Sequence, residues 1–381
     1  MENFISNHYR NCTIITPDDG AQYFFGYYDM RAVDENGRHL CHRVAFEDRL
    51  PLSDDVCEVG YLEQGVFYKI GQTTAWNFQQ GAMLQYHPFL KNTVYYNVCE
   101  NGKFMGLIHN YETGEKRYAE RALACVSPDG KWGLSVNFGR IYDFRPGYGY
   151  AAFEDSNADI NAPADDGVFL VNMESGKATL ISSYADIAPL SGFDVNREKI
   201  LVNHITFNTA SDRFVMLVRN FRTEDAPYWL TSMMIGDLDG NVHTVLERTY
   251  VSHYFWTSAE HILAHCTVSG DKKSMYSISV NDGEAVEYDM EYFHGGDYNP
   301  DIHCNTSPDE AYIIGDGYPI DGYRRLMAYR LSDGAETELL KVKTYTPNDI
   351  IDIRCDLHAR FVAGGRYCRN GLIARPQRKS V

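Results

Sequence analysis

Four histidines, His204, His253, His303 and His358, occupy one register of a recurring sequence unit, each three residues before Phe207, Trp256, Thr306 or Phe361. Imidazole is the commonest protein ligand for divalent transition metals, so residues at equal register that face one axis could make a metal site. Cys304, Cys355 and Asp356 flank them. His253, His303 and His358, with His204 as a fourth candidate, are therefore expected to hold a divalent ion such as Zn, Mn or Ca. The alternative is a polar, water-filled channel lining.

A second concentration runs from Thr73 to Phe89 (TTAWNFQQGAMLQYHPF) and is followed by His109. Trp76, Asn77, Gln79 and Gln80 combine a stacking face with neutral donors and acceptors, the pairing that sugar hydroxyls require. A structural Asn-Gln turn between repeats would use the same residues. His87 and His109 flank a strand turn, and two nearby imidazoles can divide acid and base roles near neutral pH. Arg140, Arg145 and Arg219 supply cations, and Tyr142, Tyr148 and Tyr150 lie close in sequence to the first two. Arg, Tyr and His are the set needed for β-elimination from a uronate: a cation neutralises the carboxylate, a base takes the C5 proton and an acid protonates O4. There is no phosphate-binding glycine loop, zincin motif, G-x-S-x-G or regular calcium loop. A pair of carboxylates acting as a glycosidase stays open, since Asp and Glu carry no diagnostic spacing here.

These residues must be positioned by strands. Runs rich in Val, Ile, Tyr and Phe are punctuated by Asn36-Gly37, Asn101-Gly102, Asp129-Gly130, Ser175-Gly176, Asp239-Gly240, Asp282-Gly283 and Asp333-Gly334, while sustained helical periodicity is missing. One unit, strand, Ser-Pro-Asp-Gly-like turn, strand, recurs at Ala32–Arg43, Cys125–Val136, Asn305–Asp316 and Arg360–Gly371, with looser copies from Tyr86, His204 and His253. Seven copies spaced like four-stranded blades predict an all-β, seven-bladed β-propeller occupying residues 1–381 as one domain. A loop insertion at about 137–166 breaks the spacing, and long loops usually serve function.

A formal net charge of -17 argues against nucleic acid or anionic membrane as partner. The N-terminus MENFISNHYRNC has no basic region followed by an apolar run, and the 9 cysteines are scattered without a C-x-x-C pair. Cytoplasmic residence with reduced thiols is expected. Neither charge nor spacing indicates an organic cofactor or an oligomeric state.

The motifs FFGYYDM, TTAWNFQQGAMLQYHP, DIHCNTSPD and RCDLHARF together resemble the seven-bladed propeller polysaccharide lyases, especially ulvan lyases and more distantly oligogalacturonate lyases, over Phe24 to Phe361. The resemblance implies that His87 and His109 act as acid and base on an acidic oligosaccharide and that Arg219 neutralises the carboxylate. It also implies a divalent metal held by inner-strand histidines. The family's catalytic tyrosine falls at Asn203-His204, leaving His204 or Tyr148 as candidates for that role. Some relatives of the fold instead hydrolyse a rhamnose-glucuronate linkage, and a non-catalytic sugar- or protein-binding propeller is the third expectation.

Overall fold

The computed structural model describes residues 14–224, 226–290 and 301–361. These residues form six four-stranded antiparallel sheets, each a meander in which every strand pairs with the next in sequence. Blade 1 comprises Gln22–Phe24, His39–Val44, Cys57–Glu63 and Val66–Thr73, and blade 2 comprises Gln85–Tyr86, Thr93–Glu100, Lys103–Asn110 and Lys116–Ala119. Blade 3 is Cys125–Val126, Trp132–Ser135, Gly167–Asn172 and Ala178–Ser183; blade 4 is Ile200–Phe207, Arg213–Asn220, Thr231–Asp237 and Val242–Thr249. Blade 5 is Val251–Trp256, His261–Cys266, Ser274–Ser279 and Ala285–Tyr288; blade 6 is His303–Thr306, Tyr312–Asp316, Tyr323–Arg330 and Glu336–Lys343. The first strand of each blade lines a central channel, so the architecture is an all-β propeller.

Local chemistry explains the repeated turn. Ser127 Oγ donates to Asp129 (2.6 Å) and accepts from the Trp132 N–H (3.0 Å), while Gly130 takes φ 71°. Blade 6 repeats this with Ser307 and Asp309, except that Glu310 stands at the left-handed position, φ 54°. Neighbouring sheets then bury their faces against each other. Between blades 4 and 5, for example, Val215, Leu217, Met233 and Ile235 meet Tyr254, Ile262, Ala264 and Tyr276.

Six blades, not seven, are present among the described residues. Beyond Phe361 the copy at Arg360–Gly371 lies outside them. What precedes it, Arg354 to Phe361, lies between blades 6 and 1, but side chains take up its backbone bonds. Asp316 accepts from the Leu357 and Ala359 N–H groups, Asn305 Nδ2 donates to the Ala359 carbonyl (2.8 Å), and Arg360 donates to the Gly26 and Met30 carbonyls.

The expected loop insertion is largely ordered by its own contacts. It joins the second and third strands of blade 3 and opens with helix α1 (Phe138–Phe144), capped by Asn137, whose side chain accepts from the Arg140 N–H. Arg140 is fully buried, its guanidinium bonded to Asp155 and to the carbonyls of Asn157, Ile160, Asn161 and Ile200, so this arginine staples the insertion instead of facing a ligand. A second helix, α2 (Tyr184–Ser191), has a Ser183/Asp186 capping box and ends at Gly192, φ 72°. No helix of the described residues is long and apolar enough to cross a membrane.

Candidate functional site at the channel head

The end of the channel at which the inner strands begin gathers side chains from blades 1, 4, 5 and 6 and from the insertion. Two β-bulges help aim them. Pairing shifts between Val202 and His204 in blade 4 and between Val251 and His253 in blade 5, so each histidine follows a bulged residue. His358 is held at φ 46°, a conformation rare for a residue with a side chain.

The four histidines do approach one axis, but they do not form one ring. His253 and His303 have centroids 4.2 Å apart, and His303 and His358 4.6 Å, whereas His204 is stacked on Tyr27 (5.3 Å), which also meets His303 and His358. His253 is already engaged through Nδ1 with Asp301 (2.8 Å). The ligand atoms that converge belong instead to His303, His358 and Asp356, all within 4.8 Å of one another and all in buried residues. Asp356 Oδ2 lies 3.9 Å from His303 Nε2 and 4.0 Å from His358 Nε2, too far for hydrogen bonds; neither Nε2 atom has a hydrogen-bond partner among the described residues, while Oδ2 also lies 2.8 Å from Arg354 Nη2. The sequence expectation of His253, His303 and His358 thus keeps two members and exchanges His253 for Asp356.

Electrostatics suit those three to a cation. Burial pushes His253 down to about 4 and, with the neighbouring His303, pushes His358 well below the ordinary histidine range, leaving neutral imidazoles. Burial alone would raise Asp356, but the Arg324 and Arg354 guanidiniums outweigh it and hold the carboxylate well below its usual range. His303 Nδ1 faces Asp316 Oδ2 at 3.2 Å, the outer carboxylate contact that orients a ligating imidazole. Two imidazoles and one carboxylate fit Zn or Mn better than Ca, which prefers oxygen.

Arg219, Tyr148 and His204 form the second half of the head. Arg219, 8% exposed, donates to Thr231 Oγ1 (3.2 Å) and to the carbonyls of Val251 and Ser252. Tyr148 reaches in from the insertion, accepts from Arg354 Nη2 (3.1 Å) and meets His204 edge to face at 5.6 Å. His204 is held neutral by burial first and by Arg219 next, and Gln80 Nε2 lies 3.5 Å from its Nδ1. Arg145 pairs with Asp352 (2.8 Å) between the rings of Tyr148 and Trp229.

Other expected site residues go elsewhere. Trp76, 1% exposed, packs on Phe24, Phe46 and Phe78 and donates Nε1–H to the Asp55 carbonyl, so it offers no sugar-stacking face. Asn77 Oδ1 accepts from the Gln79 and Gln80 N–H groups, and Gln79 Nε2 donates to the Asp352 and Arg354 carbonyls. This is the structural turn, and of the four residues only Gln80 reaches the head. His87 and His109 are not brought together. His87 packs on Tyr95 (5.1 Å) and His109 lies beside Tyr96, and consecutive residues of one strand point to opposite faces of the sheet. Sequence reasoning missed Tyr27, Arg354, Asp301 and Asp316. The FFGYYDM and RCDLH motifs contained the first two without indicating a role.

No family model matches the sequence, and no curated protein does. Among solved structures the chain is similar to TolB from Acinetobacter baumannii (9% identity, TM-score 0.42, 86% of this chain and 64% of that one). It is also similar to the tricorn protease (13%, TM-score 0.49, 88% of this chain and 33% of that one) and to the β-propeller domain of the Trilobed protease from Pyrococcus furiosus (14%, TM-score 0.45, 85% and 88%). The chain thus spans less than two thirds of the first two. Likeness of this extent carries nothing about activity.

Proposed function

We propose that the protein is a carbohydrate-active enzyme that cleaves an acidic, uronate-containing oligosaccharide by β-elimination at the channel head. The observation that carries this reading is the meeting of Arg219, His204 and Tyr148, drawn from the second strand of blade 4, its inner strand and the blade 3 insertion. In the proposed reaction Arg219 neutralises the C5 carboxylate and neutral His204 takes the C5 proton. The C5–H electron pair forms the C4=C5 double bond as the C4–O4 bond breaks, and Tyr148, whose oxygen already accepts from Arg354, donates its proton to O4. A divalent ion held by His303, His358 and Asp356 would add positive charge near the carboxylate.

Burial favours a second reading. Arg219 and His204 are 8% exposed and Tyr148 is 2% exposed, so a propeller that binds a sugar acid without turning it over uses the same groups. Incubation with uronate oligosaccharides separates the readings. Growth of the ultraviolet absorbance of a conjugated unsaturated uronate supports elimination; new reducing ends without that absorbance select hydrolysis; binding without either selects the non-catalytic reading.

A further inference from the structure

Below the head the channel continues as a polar cavity that reaches the turns between inner and second strands. Its space of about 230 Å³ runs from Tyr27, Gln80, His204 and His253 of the head to Arg31, Gln85, Tyr95 and Ser127, and it adjoins a wider mouth that includes Arg31 and His87. Polar atoms in its wall lack partners: the hydroxyls of Tyr27 and Tyr95 and both amide atoms of Asn203 are buried and unbonded. Tyr95 is 1% exposed. Buried polar atoms left in this way call for water or a ligand.

Two further groups give this cavity a sign. His87 Nδ1 accepts from the Phe89 and Leu90 N–H groups, both at 3.0 Å, which places the imidazole proton on Nε2 as a fixed donor. Burial, then Arg117 and Arg31, pushes His87 down to about 4, so that tautomer is neutral at physiological pH. Arg31 forms no ion pair among the described residues, whereas at the same mouth Arg38 pairs with Glu63 and Lys91 with Glu35. Asp29 also lines the cavity; pushed up to about 6 by burial, it stays largely ionised at neutral pH, so an anion should be held more readily as pH falls through that value. In a chain of net charge -17, an unpaired guanidinium beside neutral donors marks a place where an anion can be held.

We propose that this far-mouth cavity binds a small polyhydroxylated carboxylate, such as a monosaccharide acid, with Arg31 on the carboxylate and Tyr95, His87 and Gln85 on hydroxyls. One guanidinium among several neutral donors fits one negative charge carried on a hydroxyl-rich body better than a phosphate dianion. The cavity shares Tyr27, Gln80 and His204 with the head, but the proposed contacts use neither Arg219 nor Tyr148 and need no turnover.

Calorimetric titration with glucuronate, in an Arg219→Ala background that disables the head, tests it. Glucuronate should bind that chain, and adding Arg31→Ala should weaken binding about tenfold or more, the worth of one charge-assisted contact. Equal binding by both chains, no glucuronate binding, glucose bound as tightly, or inorganic phosphate bound more tightly would each overturn the proposal. Tyr95→Phe in the otherwise natural chain is the second variant, with melting curves confirming its fold. Weaker glucuronate binding is expected, and unchanged binding overturns the assignment.

Discussion

The two ends of the channel use the same residue types under opposite conditions. At the head, Asp356 sits against Arg324 and Arg354, Asp316 against His303, and Asp301 against His253. At the far mouth, Arg31 and Tyr95 have no such partners among the described residues. Burial explains the contrast: a charge removed from water must be countered within the protein, whereas a wet mouth tolerates one that is not. The head should therefore couple stability to chemistry, and the far mouth should leave stability nearly untouched.

The strongest way to break this contrast is Asp356→Ala, which strands two buried guanidiniums. A loss of about 3–5 kcal/mol in urea unfolding is expected; a change as small as that of Arg31→Ala would show that the head is not built on compensated charge. Trp76→Ala should cost a similar amount, about 3–5 kcal/mol, because the indole fills the core of blades 1 and 2. Its affinity for sugar ligands should not move, and a selective affinity loss with unchanged stability would restore Trp76 as a binding residue.

Trp76 shows how far the sequence was legible. Composition identified an aromatic beside amides, but not which way the ring points, and the ring turned inward while Asn77 made the turn. The repeated hairpins were readable because Ser, Asp and Gly impose their geometry within a few residues. By contrast, α2 has eight residues, too few for a helical period to stand out. The histidine register was visible through the repeat, yet the exchange of His253 for Asp356 depends on Asp301, whose partnership spans the chain between 253 and 301. The split of His87 from His109 turns on a strand's two-residue period relative to Tyr95 and Tyr96, which spacing alone did not settle.

A pH titration gives a smaller effect. His253 and His358 have folded-state values below their unfolded value, so the folded state disfavours their protonation. The stability they contribute is present above the unfolded histidine value near 6.5 and declines as pH falls from there toward about 4, where His253 titrates. Unfolding measured across this range should lose at most about 1.4 kcal/mol per pH unit for each histidine. His253→Gln should flatten the slope, and an unchanged slope would place the pH dependence elsewhere. The smallest expected effect lies at the rim of the far mouth: Glu310→Gly relieves a left-handed residue and should raise stability by roughly 0.5 kcal/mol, measurable as a slight shift in the urea midpoint.

The central claim is that chemistry belongs to the head and not to the face of blade 2. Turnover of a uronate oligosaccharide by Arg219→Ala and His87→Ala tests it most directly. The account predicts that Arg219→Ala lowers kcat by about two to three orders of magnitude while His87→Ala retains it. Loss of turnover in His87→Ala with Arg219→Ala active would contradict it.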